Sequence, residues 1–329
     1  MYMIFFYYKL INFLLILTLF NLGGCNQINP QKDINSKTSQ INNSPSNPDE
    51  NKLNLTVSIL PQKYFVEKIG GELVTVNVMV EPGIAAETYE PLPQQLANLS
   101  QSSAYISTGV PFEETWLEKI KSANPQIPII NSGEGIDKMP MVYHDHEEEG
   151  HSHEDKEKNH DRKEGNTFDP HIWLSPKLAK IQAQNIYQEL VKLDPKNEAI
   201  YKQNLDKFLT EIVELDRQIS QKFADIDRRK FMIYHPAWSY FAKDYNLEQI
   251  SIELEGQEAT SGELANLIKQ AKADNIKVVF AQPQFTTKTV DSFAREIGGE
   301  VILLDDLAEN WSENLLQVAD KLAQSMKNE

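Results

Sequence analysis

Histidine is the side chain best suited to transition-metal capture at neutral pH, and five of the seven histidines here fall in one short segment. They are His144, His146, His151, His153 and His160, interleaved with Glu147-Glu148-Glu149, Glu154-Asp155 and Asp161. Imidazoles beside carboxylates offer many weak, interchangeable metal contacts without one defined geometry. The segment 143–165 also contains Gly150 and Gly165 and hardly an apolar residue. It is expected to be a disordered surface loop that collects metal as an accessory to a tighter site elsewhere.

His171 and His235 sit in different company. Asp169-Pro170-His171-Ile172-Trp173-Leu174-Ser175-Pro176 reads as a rigid turn into a helix, with Ser175 as N-cap and Pro176 in the first turn. His235 closes a strand at 230–234, and Pro236 fixes the turn behind it. Ligands bind at the carboxyl ends of strands in α/β folds. Carboxylates at matching strand ends are Glu87, after a strand at 74–80, and Asp305, after a strand at 300–304; Asp306 has the same local chemistry. Either histidine alone could be a hydrogen-bonded core residue. Facing one another across a cleft with one or two carboxylates, they make a site for Zn2+, or for Mn2+ or Fe2+.

Several chemistries are excluded or disfavoured. Cys25 is the single cysteine, so neither an intramolecular disulfide nor a zinc–thiolate cluster is available. The net charge of −16 argues against a nucleic-acid partner, which needs clustered lysine and arginine. A zinc-dependent hydrolase built on His171 and His235 is a rival reading, but the chain has no His-Glu-x-x-His helix and no evident nucleophile–base pair. A surface metal buffer or adhesin is another.

The elements that must position these residues begin after an address. Residues 1–25 carry an apolar run too short to span a membrane, ending in Leu22-Gly23-Gly24-Cys25, which is similar to a bacterial lipobox. Lipidation of Cys25 is expected, with 26–52, rich in Asn, Ser, Pro and Gln, as a flexible tether. Strands and helices then alternate twice, implying two small parallel sheets covered by helices. The first lobe spans 53–195 with strands at 55–60, 74–80, 104–107 and 127–130; the second spans 228–329 with strands at 230–234, 249–252, 277–281 and 300–304. Between them, 198–227 has helical apolar spacing and no Gly or Pro, as a linker helix within 196–227 or a plain covering helix. A continuous helix there would reach about 40 Å and argues against a large hinge closure.

Together these features resemble the zinc and manganese substrate-binding proteins of ABC transporters, the ZnuA/TroA-like family. The resemblance runs from about Leu53 to the C-terminus. It rests on Thr88-Tyr89-Glu90-Pro91, the Asp169–Pro176 run, Tyr234-His235-Pro236-Ala237-Trp238, Ile252-Glu253-Leu254-Glu255-Gly256 and Leu304-Asp305-Asp306-Leu307. It implies an α/β fold of two lobes joined by a backbone helix, with one metal in the interlobe cleft. It further implies delivery of metal to a membrane permease, and a His-rich acidic loop typical of the zinc-handling members; the chain is expected to be a monomer. His171, His235 and Asp305 match the family's ligand positions. The family's first ligand is commonly a histidine before Thr-Tyr-Glu-Pro and is Glu87 here; either Glu87 ligates and hardens the site toward Mn2+ or Fe2+, or water or another acid fills the position.

Overall fold

Short apolar strands separated by amphipathic helices pair in parallel, because each helical crossover returns the chain to the end of the sheet where the previous strand began. The computed structural model describes residues 52–141, 168–253, 257–285 and 288–327. In the first lobe, β1 (Leu53–Val57), α1 (Leu60–Gly70), β2 (Val74–Val78), α2 (Pro93–Leu99), β3 (Ala104–Ser107), α3 (Pro111–Ala123) and β4 (Ile129–Asn131) follow in turn. A short turn of 3-10 helix, Ile172–Leu174, leads into α4 (Pro176–Leu193) and α5 (Glu198–Lys222). The second lobe runs β5 (Lys230–Ile233), α6 (Ser239–Asp244), β6 (Glu248–Ser251), α7 (Ser261–Ala273), β7 (Val278–Ala281), α8 (Lys288–Glu296), β8 (Glu300–Leu303) and α9 (Trp311–Met326).

The two sheets have the same build, β2-β1-β3-β4 and β6-β5-β7-β8, with every pair parallel. In each, the strand order reverses beside the first strand of the lobe, which opens a crevice at the carboxyl ends. Local sequence sets the element ends. Gly71, at φ +55°, lets the chain leave α1. Thr260 and Glu263 close a reciprocal capping box on α7, with Thr260 N–H donating to Glu263 at 2.7 Å. β4 starts two residues later than its apolar run, because Pro128 has no N–H to donate and only its carbonyl pairs, accepting from Tyr105 N–H at 2.9 Å.

α5 has 25 residues, about 37 Å at 1.5 Å per residue. It stops short of the expected 227 because Phe223 and Ile226 turn into the core, and the Arg229 guanidinium caps the Phe223 carbonyl at 3.0 Å. One apolar core runs along it through both lobes, from Leu55 and Ile106 past Leu205, Phe208 and Ile212 to Phe231, Phe280 and Trp311. Trp311 meets Phe65 edge-on at 5.0 Å between ring centroids, and a buried aromatic of this kind contributes about 1.5–3 kcal/mol. A smaller cluster including Met232, Val279 and Phe293 covers the other face of the second sheet. Lys63 bonds Glu309 at 2.5 Å and Tyr64 bonds Ser312 at 2.9 Å, tying α1 to the start of α9. A shared core and these bonds oppose wide separation of the lobes. Among the described residues, no helix is long and apolar enough to cross a membrane.

Candidate metal centre

β5 delivers His235 to the crevice of the second sheet, where the chain turns at Pro236. Neighbouring strands supply its supports. Glu253, just beyond β6, accepts a hydrogen bond from His235 Nδ1 at 2.9 Å. Gln282, just beyond β7, donates from Nε2 to the His235 carbonyl at 2.9 Å. The Phe285 ring stacks on the imidazole with centroids 4.5 Å apart and planes 19° from parallel.

His171 is held by the turn ahead of α4. One oxygen of Asp169 accepts from both the His171 backbone N–H at 2.9 Å and its Nδ1 at 2.7 Å. The Tyr240 hydroxyl donates to the Asp169 carbonyl at 2.9 Å and accepts from Met139 N–H at the same distance. Ser175 caps α4 as expected, accepting from Leu178 N–H at 3.1 Å. Trp173 Nε1 donates to the Asp306 carbonyl and Trp311 Nε1 to the Trp173 carbonyl, each at 2.7 Å. The turn is thereby fastened to the second lobe.

Glu87 comes from the loop between β2 and α2, which Gln95 anchors. Gln95 accepts from the Tyr89 hydroxyl at 2.5 Å and donates to the Met79 carbonyl at 2.8 Å. One Glu87 carboxylate oxygen lies 3.7 Å from His171 Nε2 and 3.4 Å from His235 Nε2. The three candidate donor atoms all lie within 4.8 Å of one another. The imidazoles are 1% and 4% exposed against 24% for Glu87, so the carboxylate forms the solvent side of the group. Both Nε2 atoms are buried without a hydrogen-bond partner, and both Nδ1 atoms are committed to carboxylates. With Nδ1 turned to a carboxylate, each ring keeps Nε2 for a metal once that nitrogen gives up its proton, the usual arrangement of metal-binding histidines.

Asp305, expected as a further ligand, is not among the three clustered residues, and neither is Asp306. The Asp305 carboxylate accepts from Leu307 N–H at 2.9 Å and Gln284 Nε2 at 3.5 Å. Asp306 is buried, one of its carboxylate oxygens has no partner, and it is coupled by charge to His171, Glu87 and His235. Asp169 and Glu253 were legible only as members of motifs, without their role as partners of the two histidine rings. The five loop histidines and Cys25 lie outside the described residues.

Charge in this enclosure is strongly coupled. Burial alone would depress both imidazoles. Asp169 and Glu87 acting on His171, and Glu253 and Glu87 on His235, outweigh it and raise them to about 9 and about 10. Burial likewise opposes charge on Glu87, but the two imidazoles beside it hold it well below the ordinary carboxylate range. Burial pushes Asp306 up to about 6, with the imidazoles pulling down and Glu87 and Asp305 pushing up.

This geometry can be set beside known proteins. The family that matches residues 55–329 is ZnuA, the periplasmic component A of a zinc-uptake complex. The high-affinity zinc uptake system protein ZnuA of Bacillus subtilis is 29% identical over 260 residues, covering 78% of this chain and 79% of that protein. A crystal structure of ZnuA aligns with a TM-score of 0.76 and 46% identity, covering 84% of this chain and all of that one, 100%. A deletion mutant of ZnuA with zinc bound aligns at 0.76 and 45% identity, covering 84% of this chain and 99% of that one. The match runs from the middle of β1 to the last residue, and the chain belongs to the ZnuA family of periplasmic zinc-uptake components.

Proposed function

We propose that this protein captures Zn2+ outside the cytoplasm and passes it to the membrane permease of an ABC transporter, with His171, His235 and Glu87 as ligands and Asp306 as the neighbouring acid. The observation that carries this reading is the pair of buried, unpartnered Nε2 atoms converging on Glu87. Leaving such atoms unpartnered is costly in a fold with no use for them, and a divalent cation satisfies both while offsetting the surrounding carboxylates. Zinc is the cargo and not a resident cofactor, so capture must be reversible. The protein acts by binding alone, in keeping with a solute-binding family.

The carboxylates favour a second metal class. Glu87 and Asp306 make the donor set harder than an all-imidazole one, which suits Mn2+ or Fe2+. A competitive titration of zinc against manganese decides between them. The expected result is one tight zinc site per chain with manganese displaced. In the same assay Asp306→Asn should lower zinc affinity by about 10–100-fold, the range for losing an outer partner of a metal site, with Asp305→Asn well below it. Equal affinity for the two metals would favour the harder-metal reading, and a larger loss from Asp305→Asn would restore Asp305 to the site.

The anchor is proposed on the Leu22-Gly23-Gly24-Cys25 run, with the protein held at the membrane as a monomer on a tether. Cys25→Ser should release the chain from the membrane fraction or leave it unprocessed. Unchanged fractionation together with cleavage at the same place would remove the anchor from this reading.

A further inference from the structure

The donor atoms do not select zinc unaided. Two imidazole nitrogens with the Glu87 and Asp306 carboxylates would also suit manganese, so selection has to come from how many ligands the site admits. Zinc is satisfied by four ligands in a tetrahedron, whereas manganese favours six, mostly oxygen. What stands around the imidazoles therefore matters as much as what they donate.

Each imidazole has an aromatic ring beside it. Trp173 lies 5.2 Å from His171 between centroids, is 1% exposed, and is hydrogen-bonded through both its indole N–H and its carbonyl. It belongs to the core. Phe285 is only partly buried, at the end of the 3-10 turn Pro283–Phe285, and lies nearly parallel to His235. A plate in that orientation covers one face of the imidazole whose edge carries Nε2 toward Glu87. On that face of the imidazole the ring takes up the space.

The turn is also fastened to the histidine it covers. Phe285 N–H donates to the Gln282 carbonyl at 3.0 Å, and the Gln282 side chain donates to the His235 carbonyl at 2.9 Å. Gln284 reaches Asp305 at 3.5 Å, so Asp305 is tied to this turn and not to the clustered donors. We propose that Phe285 is a specificity-determining residue, a wall that keeps added water from the metal and thereby favours four-coordinate zinc over manganese. This rests on the assignment of the site to Glu87, His171 and His235.

Co2+ is the probe, because tetrahedral cobalt absorbs visible light strongly and five- or six-coordinate cobalt weakly. The full chain is given less than one equivalent, so that only its tightest site fills. The native protein should show the intense four-coordinate bands. Phe285→Ala should weaken them and lower the zinc-to-manganese affinity ratio about tenfold or more, the scale of outer-partner effects at metal sites. Phe285→Leu, which refills the space, should restore both. If the alanine variant does not fold, Phe285→Val removes the ring while keeping an apolar stem. Native bands and a native ratio in the variant lacking the ring would overturn the wall. Bands that survive unchanged in both His171→Ala and His235→Ala would overturn the site assignment itself, and the wall with it.

Discussion

His171→Ala and His235→Ala are each expected to abolish tight zinc binding, with losses beyond the roughly 10–100-fold typical of outer partners. The clustered group contains two imidazoles and one carboxylate, so deleting either ring removes a third of its donors. Water cannot substitute well, because it brings no fixed orientation and the enclosure is lined by Trp173 and Phe285. Each deletion also strands a buried carboxylate, Asp169 or Glu253, that had its partner in the ring. Calorimetry on chains also lacking residues 143–165 isolates the cleft from the His-rich segment. That deletion by itself should lower total metal stoichiometry and leave one tight site. Native affinity in both alanine variants on that background would place the metal elsewhere.

A steep pH dependence is the second large effect. The carboxylates around His171 and His235 raise them to about 9 and about 10, so at neutral pH the metal-free site holds protons where the metal must bind. Zinc requires both Nε2 lone pairs and must expel those protons. Affinity should therefore climb with pH by about tenfold per unit for each proton released, up to about 100-fold for two, and continue climbing above the ordinary histidine value near 6.5. The metal-free protein behaves in the opposite sense. Its raised imidazoles contribute stability that is fully present below about 6.5 and is lost as pH rises through about 9 to 10. The thermal shift produced by zinc should accordingly widen as pH rises from 6 toward 9. A shift that is flat across that window would mean that the imidazoles are already neutral in the metal-free protein.

The sheets were the most legible part of the sequence, because strand propensity, helical spacing and caps such as Thr260-Ser261-Gly262-Glu263 agree over each element. Element ends were less so, since they depend on tertiary partners. Arg229 capping the Phe223 carbonyl, which ends α5 near Lys222, lies seven residues beyond that helix and has no local signature. For the site, the rule that ligands gather at strand carboxyl ends pointed to His235, Glu87 and Asp305, while His171 was read from its turn ahead of a helix. The rule could not separate Asp305 from Asp306, of which Asp306 alone is buried in the fold. Nor could it show Glu253 bonding His235 or Phe285 stacking on it, because adjacent strands bring those residues together and sequence distance does not.

Counting histidines around the bound metal tests the cleft site most directly, since outside residues 143–165 the chain has two, His171 and His235. X-ray absorption at the zinc edge, on the full chain loaded with less than one equivalent, reads that count. The expected first shell is two imidazole nitrogens with one or two carboxylate oxygens, all at about 2.0–2.2 Å. Three or more imidazoles would contradict the cleft site, because only the His-rich segment could supply them.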